Sequence, residues 1–249
     1  MEHYKIIFAY DGTSFQGSQR QAKARTAQSE LENALRRLDW QGKSVSLAGR
    51  TDCGVHASGQ VAAFDLEWKH DLSDLVRALN ANLPHDMAVS AAEIVPDGFH
   101  PRFDAVSRTY QYRLYCQPVR DPMRDRYAWR QNLPLDETTL QEAARKIRGT
   151  HDFAAFGTPP RPGNSSLRTV MKAGWFQKGD EWTFVVQANA FLYHMVRRLV
   201  FIQVAIGQDR LPLQVITEML TSPATPAPAG LAPANGLNLV EVRYPEQSG

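Results

Sequence analysis

The sequence predicts a mixed α/β protein of two domains, and three observations lead there. At 249 residues the chain has room for two modest domains or one large one. Short runs with strand character alternate with stretches that carry leucines at helical spacing. The order strand, helix, strands, helix comes once in each half, although no residue-level repeat accompanies it. Apolar residues make up 43% and charged ones 22%, ordinary values for a soluble globular protein. No apolar run reaches the roughly eighteen residues of a membrane span, and the N-terminus lacks a signal-peptide pattern. Cys53 and Cys116 are too few for a disulfide scaffold, so a cytoplasmic location is expected. No ligand spacing suits zinc, and neither metal nor cofactor is expected.

Tyr4 to Tyr10 reads as a strand ended by the turn pair Asp11-Gly12. The segment from Thr13 to Arg25 is polar and basic with no acid, either a mobile loop or a phosphate-contacting arm carrying Arg20, Lys23 and Arg25. Thr26 suits an N-cap for a helix running to about Leu38, with Leu31, Leu35 and Leu38 on one face. Asp71 to Asn82 repeats that pattern through Leu72, Leu75, Val76 and Leu79, and Leu83-Pro84 ends it. Met87 to Val95 is a further strand. Phe99 to Ala105, containing Arg102, reads as a linker, which sets domains of residues 1–105 and 106–249.

In the second half Arg108 to Cys116 alternates as a strand, with Tyr110, Tyr112 and Leu114 on one face and Gln111, Arg113 and Tyr115 on the other. Leu135 to Arg148 is helical, with Gly149 as its C′ residue. Residues 158–166 form a loop, and Thr169 to Phe176 with Trp182 to Gln187 make a hairpin across Gly179-Asp180. Phe191 to Ile206 is the longest helix expected, followed by a shorter one over Pro212 to Leu220. The Pro- and Ala-rich segment from Ser222 to Pro233 is extended, and Leu237 to Arg243 closes as a strand.

The formal net charge is only +2, yet it is unevenly distributed. Residues 100–130 hold seven Arg against three Asp, and residues 161–203 hold six Lys or Arg against two acids. Residues 61–99 hold two Lys or Arg against seven acids. Such segregation fits solvated faces of opposite sign, and equally one surface made for a polyanion.

The chemistry concentrates in Leu47-Ala-Gly-Arg-Thr-Asp-Cys-Gly-Val-His-Ala-Ser-Gly-Gln-Val61. This stretch joins the apolar run Val45 to Ala48 to the run Val61 to Phe64 through a loop with Gly49, Gly54 and Gly59. Glycine at that density suits positive φ or close approach. Asp52 is the only carboxylate in the loop, two residues after Arg50 and four before His56. Alone, it could simply bond its own backbone in a turn.

The string Gly-Arg-Thr-Asp-x-Gly-Val-His-Ala-x-Gly-Gln-Val resembles the catalytic motif of the tRNA pseudouridine synthases of the TruA family. The resemblance continues as islands from Tyr10 to about Val242. It takes in Tyr10-Asp11-Gly12 with Phe15, Gly17 and the glutamines after them, then Phe99-His100-Pro101-Arg102, then Arg108-Thr109-Tyr110, then Met195-Val196-Arg197. Ser18 stands where the family commonly has an aromatic residue, and Phe201 near a usual glycine. The resemblance implies two α/β domains with mostly antiparallel sheets meeting at a central RNA-binding cleft. It also implies a homodimer, and isomerisation of uridines 38, 39 and 40 in the tRNA anticodon arm without a cofactor.

It further implies site roles, each beside a plainer reading. Asp52 is the nucleophile. Arg197 pairs with it, although Arg197-Arg198 could be a solvated corner of an amphipathic helix. Tyr110 packs on the target base, although strand tyrosines are usually half-buried packing. Arg50 occupies the space of the flipped base, or else forms a salt bridge within the loop. Arg20, Lys23, Arg25, Arg102 and Arg108 are candidate RNA contacts. His56 is expected to shape the loop by hydrogen bonding, and Cys53 to be a bystander. An aspartic hydrolase lacks a second Asp-Thr/Ser-Gly loop here. A non-catalytic RNA-binding protein would require a broken site, and a synthase acting on another RNA is the remaining alternative.

Overall fold

The computed structural model describes residues 1–159, 163–222 and 226–245. In chain order its elements are β1 (Glu2–Tyr10), α1 (Ala27–Arg36), β2 (Ser46–Leu47), β3 (His56–Leu66), α2 (Leu72–Asn82), β4 (Met87–Ile94), β5 (Ser107–Cys116), β6 (Trp129–Gln131), α3 (Glu137–Lys146), β7 (Gly149–Asp152), β8 (Leu167–Lys178), β9 (Glu181–Ala188), α4 (Met195–Gly207), α5 (Gln214–Thr221) and β10 (Leu237–Arg243). They form two compact units, Met1–Val106 with the chain from Asn238 onward, and Ser107–Leu237. The last strand, grouped with the second half on sequence alone, therefore belongs to the first unit. Arg161 of the basic segment, residues 160–162 of the expected loop and residues 223–225 of the Pro/Ala-rich segment lie outside the described residues.

The first unit carries its strands in the order β4-β1-β3-β10, with β2 also on β3. The pairings of β1 with β3 and β4 are antiparallel, while β10 joins β3 in parallel. Alternation along β1 buries Tyr4, Ile6, Phe8 and Tyr10 and turns their neighbours outward. Thr26 caps α1 as its residue type requires. Its Oγ1 accepts the Ser29 N–H, and Ser29 Oγ accepts the Thr26 N–H, a reciprocal box. The helix then buries Ala27, Leu31, Ala34 and Leu35. α2 packs on β4 through Leu75 and Leu79, and the Asn80 amide exchanges two 2.8 Å hydrogen bonds with the Val89 backbone.

β3 begins at His56, so the second half of the expected loop is strand. Gly59 is thus a strand residue, required by proximity. A Cβ there would lie 2.2 Å from the Val240 carbonyl oxygen of β10.

The second unit orders its strands β5-β9-β8-β7, with β6 added in parallel to β5. The β5–β9, β8–β9 and β7–β8 pairs are antiparallel. The mixed α/β class with mostly antiparallel pairing is therefore the one the chain adopts. α3 packs on β8 and α4, burying Leu140, Ala143 and Ala144. It ends at the C-cap Ile147, so Gly149, at φ +101, lies one place beyond the expected C′ position. The longest helix starts at Met195 instead of Phe191. Tyr193 is held in a two-way backbone bridge with Thr158, and His194 at φ +65 cannot extend a right-handed helix backward.

Candidate active site

Asp52 sits half-buried in a tight turn whose carbonyl oxygen accepts the Val55 N–H at 3.1 Å. The turn rests on residues 12–18. Gly54 N–H donates to the Phe15 carbonyl at 3.3 Å, and the Gly12 N–H donates to His56 Nδ1 at 2.9 Å. Thr51 N–H donates to Ser18 Oγ at 2.8 Å, while Ser18 N–H donates to the Thr51 carbonyl at 3.1 Å. Gly17, at φ +90, brings this support close: a Cβ would stand 2.8 Å from the Thr51 carbonyl oxygen.

Beneath the turn lies a buried polar relay. Gln60 Nε2 donates to the Tyr10 hydroxyl at 3.4 Å, and that hydroxyl shares a 2.8 Å hydrogen bond with Thr51 Oγ1. Burial pushes the Tyr10 phenol above its ordinary pKa, while hydrogen bonds from Thr51, Gln60 and Ser18 pull it partly back. The phenol is therefore neutral at physiological pH and serves as a hydrogen-bonding strut. His56 is buried, and its Nδ1, accepting from Gly12, lies 3.2 Å from Asp11 Oδ1. Through these contacts the ring ties the start of β3 to residues 11 and 12.

Arg50 is exposed, and among the described residues it forms no salt bridge within the loop. Cys53 is also exposed, its Sγ 3.5 Å from Gln16 Oε1. The arm from 13 to 25 is not a free basic arm. Arg20 pairs at 2.7 Å with Glu32, whose side chain is fully buried. Arg25 grips Asp86 with two bonds of 2.7 and 2.8 Å, bonds Glu30 at 2.7 Å and lies 4.3 Å from the Phe15 ring centroid. Its hydrogen bonds hold the Asp86 carboxyl below the usual carboxylate range. Lys23 is exposed, and Arg102 lies beside the ring of Phe103, which is 75% exposed.

In the second unit Tyr110 faces the buried side of β5 at 8% exposure, edge-on to Phe191 with ring centroids 5.1 Å apart. Tyr112, on the same face, is fully buried, and its hydroxyl donates to the Pro233 carbonyl at 2.8 Å. The expected outward face of β5 is only partly so, because Tyr115 is buried as well. Arg108 is buried and donates to the Asn189 carbonyl at 3.0 Å. Arg197 is the third residue of α4, and its Nε donates to the Ala232 carbonyl at 2.7 Å. Burial drives the Tyr112 phenol well up, and the Arg197 charge opposes that rise. Phe201 stacks on Trp129, with ring centroids 6.4 Å apart and planes 15° apart.

The residues that sequence reasoning left without a role are Tyr10, Thr51 and Gln60. Each is a buried polar residue, and no signal in the sequence itself marks it.

Comparison with known proteins matches this arrangement to a named family. The family described as tRNA pseudouridine synthase matches residues 6–104 and 143–245. A tRNA pseudouridine synthase A of Chloroflexus aurantiacus is 40% identical over 253 residues, covering 98% of this chain and 90% of its own. A protein of that name from Methylacidiphilum infernorum is 41% identical, with 97% and 95% covered. Another from Streptococcus pneumoniae serotype 19F is 38% identical, with 99% and 100% covered. With a family model matched over most of its residues and relatives of this closeness, the chain belongs to the tRNA pseudouridine synthase family, enzymes that isomerise uridine in tRNA.

Proposed function

We propose that the protein converts uridines 38, 39 and 40 of the tRNA anticodon stem-loop to pseudouridine, with Asp52 as nucleophile. The observation that carries this reading is the Asp52 turn itself, a half-buried carboxylate held at its backbone by residues 12–18. The carboxylate attacks the ribose carbon or takes a proton from the sugar, and the bond to uracil N1 breaks. The base turns and C5 joins the same carbon as the carboxylate leaves it, or as the sugar regains its proton, and the C5 proton is then lost while N1 gains one. No electrons are exchanged with a third party. The uridine must leave its stack at a cost of a few kcal/mol, which stacking on protein offsets. Tyr110 is the residue for that packing, and Arg50, exposed beside the turn, takes the space the base vacates. Arg197 is the cation that favours the ionised carboxylate. Its support is the family motif from Phe191 to Arg197 together with the fixed seat of its Nε on Ala232.

Lys23 and Arg102 contact the RNA backbone, while Arg20 and Arg25 hold the segment that presents Lys23 and Arg108 holds the Asn189 carbonyl. The working form is a cytoplasmic homodimer bound to tRNA. Among the described residues no helix is long and apolar enough to cross a membrane. The test is tritium release from a tRNA transcript labelled at uridine C5, with Asp52→Asn as the comparison. Release by the native chain alone supports the reaction and the residue. Release by both acquits Asp52. Release by neither, with tRNA still bound, returns the chain to the RNA-binding reading or to another RNA.

A further inference from the structure

We infer that Ser18, acting with Thr51, is a positioning residue that sets where the Asp52 carboxylate points. This rests on the assignment of Asp52 as nucleophile. Ser18 is completely buried, which is unusual for serine, and its hydroxyl oxygen receives the Thr51 N–H. The Ser18 backbone returns a second bond to the Thr51 carbonyl. Both peptide groups of the residue before Asp52 are therefore held by one neighbour. Thr51 is held a third time through its side chain, by the Tyr10 hydroxyl. The Tyr10 phenol also feels the Ser18 hydroxyl, so the three side chains form one buried cluster.

The geometry leaves little slack. Gly17 packs against the Thr51 carbonyl, and Ala27 N–H anchors Gly17 to the start of α1 at 3.4 Å. Gln28 N–H likewise donates to the Ser18 carbonyl at 2.9 Å. Through these bonds the helix fixes residues 17 and 18, residue 18 fixes residue 51, and residue 51 orients residue 52. Ser18 touches no reacting atom. Its influence is exerted on the backbone that aims the carboxylate, and a misplacement of about 1 Å in such a group costs on the order of a hundredfold in rate.

The test is steady-state kinetics on C5-tritiated tRNA, run well below each variant's melting temperature, with the folded fraction read by circular dichroism. Ser18→Ala leaves the buried Thr51 N–H without its acceptor. It is expected to lower kcat per folded molecule by about tenfold or more, with KM within about twofold. Thr51→Val removes the hydroxyl at nearly constant shape and is expected to do the same, whereas Thr51→Ser, which keeps the hydroxyl, restores most of kcat. This pair carries the test if Ser18→Ala fails to fold. A kcat per folded molecule equal to the native value in Ser18→Ala or Thr51→Val overturns the inference, as does a Thr51→Ser no better than Thr51→Val. Asp52→Asn run alongside separates the two failures. An active Asp52→Asn removes the nucleophile assignment and this inference with it; an inactive Asp52→Asn beside unimpaired Ser18 and Thr51 variants removes this inference alone.

Discussion

Gln60 shows how one side chain can close the entry to the Asp52 loop. Its Oε1 accepts the Gly49 N–H at 3.2 Å and its Nε2 donates to the Gly49 carbonyl at 3.0 Å, so a fully buried amide replaces a backbone partner on both counts. Replacing it with Leu keeps the volume but strips both groups of their partner. Each unsatisfied buried group costs about 1–3 kcal/mol, and Gly49 is only half-buried, so Gln60→Leu should lose about 2–4 kcal/mol. For a chain of this size that is roughly 4–16 °C in melting temperature, readable by calorimetry. A shift under 1 °C would mean that water replaces the amide. The motif string makes Asp52 legible in the sequence, but not Gln60, because a glutamine on an apolar strand signals neither a ligand nor a partner. Its partner is eleven residues away, and only the pairing of β2 with β3 brings it close.

At the scale of elements, the 13–25 segment shows what composition can hide. Its three cations suggest an arm for phosphate, yet two of them pair with carboxylates of α1 and of the turn before β4. Arg20→Met would leave the buried Glu32 with the more distant Arg36, at 3.8 Å, as its cation, and one-sided loss of a buried pair costs about 3–5 kcal/mol. Arg20 itself is 44% exposed, so the lower end of that range is expected in urea unfolding. If the arginine served RNA alone, stability would not change. Arg25 and Asp86 add a pH signature. The Asp86 carboxyl is lowered in the folded state by its hydrogen bonds to Arg25, so its contribution is fully present above the unfolded value near pH 4. That contribution is lost as pH falls through the folded value. The stability gap between the native chain and Asp86→Asn should thus be constant from about pH 5 to 7 and shrink below about pH 4. A gap that widened in acid would reverse the assigned sign.

The helices were legible where local signals mark their ends and were misread where tertiary contacts do. Thr26 is a capping residue whose side chain bonds the first turn, and α1 begins where that residue places it; Asp136 caps α3 in the same way, but it went unread, and α3 begins at Glu137 instead of the expected Leu135. Nothing in Phe191-Leu-Tyr-His-Met195 announces a late start for α4. The bridge from Tyr193 to Thr158 supplies it from 35 residues away. The parallel pairings of β6 with β5 and of β10 with β3 were illegible for the same reason, since parallel neighbours need not be close in sequence.

For the whole molecule, the charge pattern bears on RNA affinity only through cations not already engaged. Residues 100–130 contain seven arginines, but Arg113 lies 3.6 Å from Glu181, Arg124 holds Asp180 with bonds of 2.8 and 3.1 Å, and Arg108 is buried. Arg124 also covers the Tyr115 ring at 4.2 Å, and Tyr115 takes the Asp121 N–H at 2.9 Å, so these side chains pin the loop that follows β5. Arg120, on the same loop, is exposed. Counterion release scales with the phosphates a protein neutralises, with a slope of about −0.9 per contact on a duplex and about −0.7 on single strands. If this loop meets the tRNA backbone, Arg120→Gln should reduce the slope of log affinity against log salt by about one and leave the melting temperature unchanged. Arg124→Gln should do the reverse, lowering the melting temperature with little direct effect on the slope, because its charge already has a partner in the free protein. Titrating both variants with tRNA between about 50 and 200 mM salt distinguishes them. Equal slopes in Arg120→Gln and the native chain would take this loop off the RNA-binding surface, and the net positive charge of the segment would then count as solvated surface alone.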